Sequence, residues 1–179
     1  VYNFMRNRWP LQMNYLLNLD LSYNRLTEIP DVQSMSNIRI LKLRNNYIWQ
    51  PWYTLVHAKK LELLDLRENK LAWTPKDFVE DCKYVACCRN LRTLLLEANP
   101  FVGALPNYAL FVAKIFHARH HGGHSSHAPP LARVDSIMIT PQYVYEAMKA
   151  ELTEDQLFVG MGVDGDNGED SGDDSGNDD

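Results

Sequence analysis

Five of the six histidines lie within eleven residues: His117, His120, His121, His124 and His127, interleaved with Gly122, Gly123, Ser125 and Ser126. Imidazoles at this density could ligate zinc, nickel or copper, and would gain charge together below about pH 6.5. A zinc site, however, needs a fixed tetrahedron and partners that orient each ring. A Gly/Ser-rich loop supplies neither, so the stretch reads as a flexible insertion with incidental metal affinity, and no metal or other cofactor is expected. Three cysteines, Cys82, Cys87 and Cys88, crowd together without a C-x-x-C pair and read as reduced thiols. Cys82 or Cys88 could act as a nucleophile with His57 as base only if the fold joined them. No G-x-S-x-G, Walker loop or H-E-x-x-H occurs. No catalytic residue is assigned, and the chain is not expected to be an enzyme.

The elements that would position any of these groups follow from a pattern that runs four times, L-x-x-L-x-L-x-x-N-x-(L/I/F). Its copies are Leu16, Leu19, Leu21, Asn24, Leu26; Ile38, Leu41, Leu43, Asn46, Ile48; Leu61, Leu64, Leu66, Asn69, Leu71; and Leu91, Leu94, Leu96, Asn99, Phe101. Leu-x-Leu alternation makes a short strand with two side chains inward. The chain must then bend away, leaving backbone groups inside without ladder partners. Asn carries donors and an acceptor on one short side chain, so a column of Asn24, Asn46, Asn69 and Asn99 can satisfy them. The asparagines are 22, 23 and 30 residues apart, and on this spacing the chain is identified as a leucine-rich-repeat protein. The expected fold is α/β: a right-handed solenoid with a parallel concave sheet, a helical or irregular convex side and a C-terminal cap. No repeat buries its apolar face alone, so neighbour contacts supply the stability.

Residues 1–15 read as a partial repeat or N-terminal flank, and 16–101 as the four repeats. Val1 stands where an initiator Met would, so a fragment is expected, with repeats or a cap upstream. Trp49, Pro51, Trp52 and Tyr53 are expected to pack beneath the convex side. Thr74-Pro75-Lys76-Asp77 starts a helix that apolar spacing carries to about Cys88. Residues 102–140 read as the cap, with a helix from Pro106 to about Phe116 and the His-rich insertion at 117–128. Ile137, Met138 and Ile139 continue its closing strand. A terminal helix spans 141–158, capped by Thr140-Pro141, its apolar stripe packing back on the cap. Residues 159–179 form an acidic tail of disordered composition. Gly160 to Asp179 holds eight acidic and no basic residues, leaving 15 acidic against 18 basic, net +3, in the other 159.

The cap phrases Asn99-Pro100-Phe101, Pro106-Asn107-Tyr108 and Pro130-Leu131-Ala132-Arg133-Val134-Asp135 resemble those of the SDS-twenty-two-like leucine-rich-repeat proteins. These include the protein phosphatase 1 regulator, the spliceosomal A-prime protein and axonemal dynein light chain 1. Val134 replaces the usual Leu, and about a dozen residues intrude between helix and closing strand. The resemblance implies, in turn, a phosphatase-regulatory subunit, a ribonucleoprotein subunit that binds a partner's helix, or an axonemal or microtubule-associated subunit. Similarity to the acidic nuclear phosphoproteins, which join repeats, cap and acidic tail, implies a histone-binding alternative; their tails are denser in acid than this one.

Register assigns the outward concave columns: Asn18, Ile40, Leu63, Thr93; Asp20, Lys42, Asp65, Leu95; Ser22, Arg44, Arg67, Glu97; and Tyr23, Asn45, Glu68, Ala98. The expected binding face is Ile40, Lys42, Arg44, Leu63, Asp65, Arg67, Leu95 and Glu97: a small apolar centre with a charged rim. Lys42 is expected to pair with Asp20 and Asp65, and Arg44 with Arg67 to contact a partner's carboxylates. The chain thus reads as a non-catalytic intracellular adaptor or scaffold, monomeric by itself, with a protein partner. It is placed in the cytoplasm, with axonemal, cytoskeletal or nuclear sites as variants. No apolar run approaches the ~18–20 residues that span a membrane, and a net of +3 without a basic stripe argues against direct nucleic-acid binding.

Overall fold

The computed structural model describes residues 13–49, 53–73, 75–121 and 131–150. The flank 1–12, the His-rich residues 122–130, and the tail with the end of the terminal segment, 151–179, lie outside the described residues. Among the described residues six strands form one sheet in chain order: β1 (Asn18–Asp20), β2 (Ile40–Lys42), β3 (Leu63–Asp65), β4 (Thr93–Leu95), β5 (Arg133–Val134) and β6 (Ile137–Met138). The first five are parallel, in the register Asn18–Ile40–Leu63–Thr93–Arg133. Pairing continues past the three-residue strands, because Leu21 N, Leu43 N and Leu66 N donate to Lys42 O, Asp65 O and Leu95 O, each at 2.8 Å.

The inward leucines make the core: Leu41, Leu43, Leu64, Leu66, Leu94 and Leu96 are fully buried. The asparagines stitch one coil to the next. Asn69 Nδ2 reaches Leu66 O at 3.0 Å and Leu43 O at 2.9 Å, while its Oδ1 accepts from Ile48 N at 3.0 Å. Asn46 repeats this with Leu43 O, Leu21 O and Leu26 N, and Asn99 with Leu96 O, Leu66 O and Leu71 N. Among the described residues Asn24, which is exposed, bonds only within its own repeat, to Leu21 O and Ser22 O. The residue before each Asn is left-handed: Tyr23, Asn45, Glu68 and Ala98 have φ of 54–59°. Three of these are residue types that gain nothing from that region, where a non-Gly residue loses about 1–2 kcal/mol. The ladder that follows holds them there.

On the convex side a 3-10 helix, Tyr53–His57, occupies the second repeat, and α1 (Pro75–Val85) fills the long third one. Leu55 supplies the buried contact of the former. Trp49 and Tyr53, expected beneath the convex side, are instead each 58% exposed; Pro51 and Trp52 lie outside the described residues. The indole of Trp73 donates to the buried Asp81 of α1 at 2.7 Å. Its ring lies 4.5 Å from Phe101, which in turn meets Tyr108 edge-on at 5.4 Å.

The cap departs from expectation in three ways. A short α2 (Pro100–Ala104) precedes the expected helix, with Pro100 at the position where a missing N–H costs nothing. Next, α3 (Tyr108–His121) runs past Phe116. No Gly or Pro interrupts it before Gly122, so the first part of the His-rich stretch is helix rather than loop. Finally, Ile137 and Met138 do not extend β5. The chain reverses at Asp135, whose φ is 51°, and β6 returns antiparallel, pairing Val134 with Ile137. A last helix, α4 (Pro141–Lys149), starts where Thr140 Oγ1 accepts from Tyr143 N at 3.1 Å. It packs on α3, with Ala147 buried and Lys114 Nζ capping Ala150 O at 3.0 Å. No helix of the described residues is long and apolar enough to cross a membrane.

Candidate binding face

The outward side chains of β1 to β4 place Ile40, Leu63 and Thr93 next to one another in register, all half-buried. Leu95, also half-buried, pairs across from Asp65. Charges surround this centre, and almost every one is already engaged.

Arg44 and Arg67 are not free for a partner's carboxylates. Arg44 Nε donates to Glu68 Oε1 at 2.9 Å, and its Nη2 contacts the same oxygen. Glu68 Oε2 accepts from Asn45 Nδ2 at 2.9 Å. The left-handed turn at Glu68 throws its carboxylate back over the preceding repeat, which is why one acid serves two residues there. Hydrogen bonds from Asn45 and Arg44 hold the Glu68 carboxyl below its usual range. Arg67 forks onto Asp65, with Nε at 3.0 Å and Nη2 at 2.7 Å. That bond, with the charges of Glu97 and Asp135 adding less, raises the guanidinium further.

Asp65 is therefore no exposed member of the face: it is 4% exposed, covered by its own Arg67, and a concave surface residue in sequence only. Lys42 consequently pairs with Asp20, at 3.5 Å, and not with Asp65. Glu97 stands half-buried at the C-terminal end of the face. Its N–H and that of Leu96 donate to Asp135 Oδ1, and the Tyr108 hydroxyl donates to Asp135 Oδ2. Burial, then this bond, pushes the phenol well above its ordinary pKa. Sequence reading missed Glu68 as the partner of Arg44, and the Arg39–Glu62 pair at 2.5 Å where β2 and β3 begin. The offset of each pair, about one repeat (24 residues for Arg44–Glu68, 23 for Arg39–Glu62), was the available signal.

Cys82 and Cys88 are buried and are not poised to react. Cys88 is fully buried and contacts Leu55 O at 3.3 Å; burial pushes its pKa up to about 12. Burial also raises Cys82, beside Asp81, well above the usual thiol value. His57 is exposed, so it and the buried Cys88 thiol do not share a solvent-open site. Among the described residues no three His, Cys, Asp or Glu side chains gather as metal ligands; His124 and His127 lie outside them.

The family described as Leucine Rich Repeat matches residues 15–34. Among curated proteins, none matches the chain. A solved leucine-rich-repeat protein of Leptospira interrogans is 22% identical, with a TM-score of 0.32, over 48% of this chain and 32% of that one. This chain thus spans about a third of that protein's length. Residues 15–34 are a leucine-rich repeat, and the same strand, left-handed turn and bonded Asn recur in the three repeats that follow.

Proposed function

We propose that the chain is a non-catalytic adaptor that holds a protein partner on its concave sheet. The observation that carries this reading is the adjacent pair Ile40 and Leu63, two aliphatic side chains left half-open on a face whose charges pair with each other. Self-paired charges need not be stripped of partners when a ligand docks, whereas lone buried charges would be. An amphipathic helix or an extended segment would place an apolar anchor over Ile40 and Leu63 and meet the paired charges as a polar rim.

The partner classes implied by the cap resemblance, a phosphatase, a tubulin–dynein assembly or a histone, are the ones to seek first. Affinity capture from the source cell, read by mass spectrometry, tests this. The wild-type chain should retain a partner that the Ile40→Asp, Leu63→Asp double variant loses at unchanged thermal stability. Equal retention by both would refute the concave face as the site.

A further inference from the structure

Most charges of the concave face cancel in pairs, yet the chain outside its tail carries net +3. Much of that surplus sits at the rim where the strands begin. Arg39, Glu62 and Arg92 follow one another there: Glu62 N donates to Arg39 O at 2.7 Å, and Arg92 N to Glu62 O at 2.9 Å. Lys60 Nζ reaches Asn37 Oδ1 of the preceding repeat at 2.5 Å, which puts Lys60 on the same rim. Lys59, its chain neighbour, lies close enough to the Cys88 thiol to act on it electrostatically, and Arg89 is the residue after Cys88. Five cations thus border one acid, Glu62, which is taken by Arg39. Lys59, Lys60 and Arg92 are exposed, and among the described residues no carboxylate pairs with them or with Arg89.

We propose that this basic rim is the docking site of the chain's own acidic tail, residues 164–179. The tail is complementary in sign, with eight carboxylates and no cation. It is also within reach. From Ala150 to Asp164 the chain can span up to about 50 Å when extended, and six strands at about 4.8 Å spacing are only about 24 Å across. Tethering gives the tail an effective concentration in the millimolar range. Each contact lies between exposed charges, so the dock is salt-sensitive and displaceable. A polyanion drawn to the rim must first displace the tail.

Zero-length carbodiimide coupling of the dilute full chain, with mass spectrometry of the monomer band, tests this. The Lys83–Glu80 pair at 2.6 Å and the Lys42–Asp20 pair at 3.5 Å are internal standards for fold and reagent. The expected products join Lys59 or Lys60 to acids of 164–179 at low salt, and fall several-fold in 1 M salt. Arg89→Glu with Arg92→Glu should reduce them several-fold while both standards persist. Standards without tail products, tail products only in the dimer band, or products undiminished in that variant would each overturn the proposal. So would equal retention of polyuridylate by the native chain and by one with its tail acids changed to Asn and Gln.

Discussion

Arg67 folds back two residues along its own strand to grip Asp65 with two nitrogens, so the carboxylate most central to the concave face is closed to solvent by a neighbour. The face is thereby a preformed polar surface around an aliphatic centre, and it has no open row of charges.

This closure makes the two residues unequal to mutate. Arg67→Ala leaves the 4%-exposed Asp65 carboxylate with the Arg67 backbone N–H alone at 3.2 Å. The expected cost is about 1–3 kcal/mol, because the guanidinium was partly solvated to begin with. The double change Asp65→Leu, Arg67→Met should recover most of it. Urea unfolding of the three chains checks this; an equal loss in single and double variants would contradict it.

The asparagines of the column should contribute unequally. Asn69→Leu strands the buried Ile48 N–H, while the Leu43 and Leu66 carbonyls each lose one of two bonds and keep the other, from Asn46 and Asn99. That should cost about 1–3 kcal/mol for each polar group left without any partner. Asn24→Leu, exposed and bonded only to its own repeat, should cost clearly less. The same denaturation series tests the ranking, and equal losses would count against a column that works between repeats.

How much of this was visible in the sequence depends on what each feature answers to. Strands and inward leucines answer to a period, which a chain displays openly. Residues such as Glu68 do not. Its role follows from a left-handed backbone that Glu does not advertise, and only that turn aims it at Arg44. Asp65 reads as one more outward polar residue, because burial by a side chain two residues on leaves no trace in hydrophobic spacing. The β5–β6 reversal hides for the opposite reason. Ile137-Met138-Ile139 looks like the continuation of a strand, and the only mark of the turn is Asp135-Ser136.

Thiol chemistry offers a third prediction. Native protein at pH 8 should react with a disulfide reagent at Cys87, which is half-exposed, and release the equivalents of Cys82 and Cys88 only on unfolding. The raised thiols also set a pH limit. A folded pKa above the unfolded one means that stability is complete below the unfolded value and falls as pH rises toward the folded one. For Cys88 that window runs from 9.0 to about 12, and the raised phenol of Tyr108 adds in the same direction. Thermal scans from pH 7 to 11 should show Tm falling only above about 9, near the ordinary thiol value. Fast labelling of all three thiols in the native state would contradict the buried assignment.

The most direct test of the concave face is the dissociation constant of the captured partner, measured by calorimetry for wild type, Leu63→Asp and Tyr53→Asp. Leu63→Asp should weaken binding about tenfold or more, the scale of losing an anchor worth over 1 kcal/mol. Tyr53→Asp, on the convex side, should leave it unchanged. The reverse pattern, an unaffected Leu63→Asp and a weakened Tyr53→Asp, would contradict the account and move the site to the convex aromatic residues.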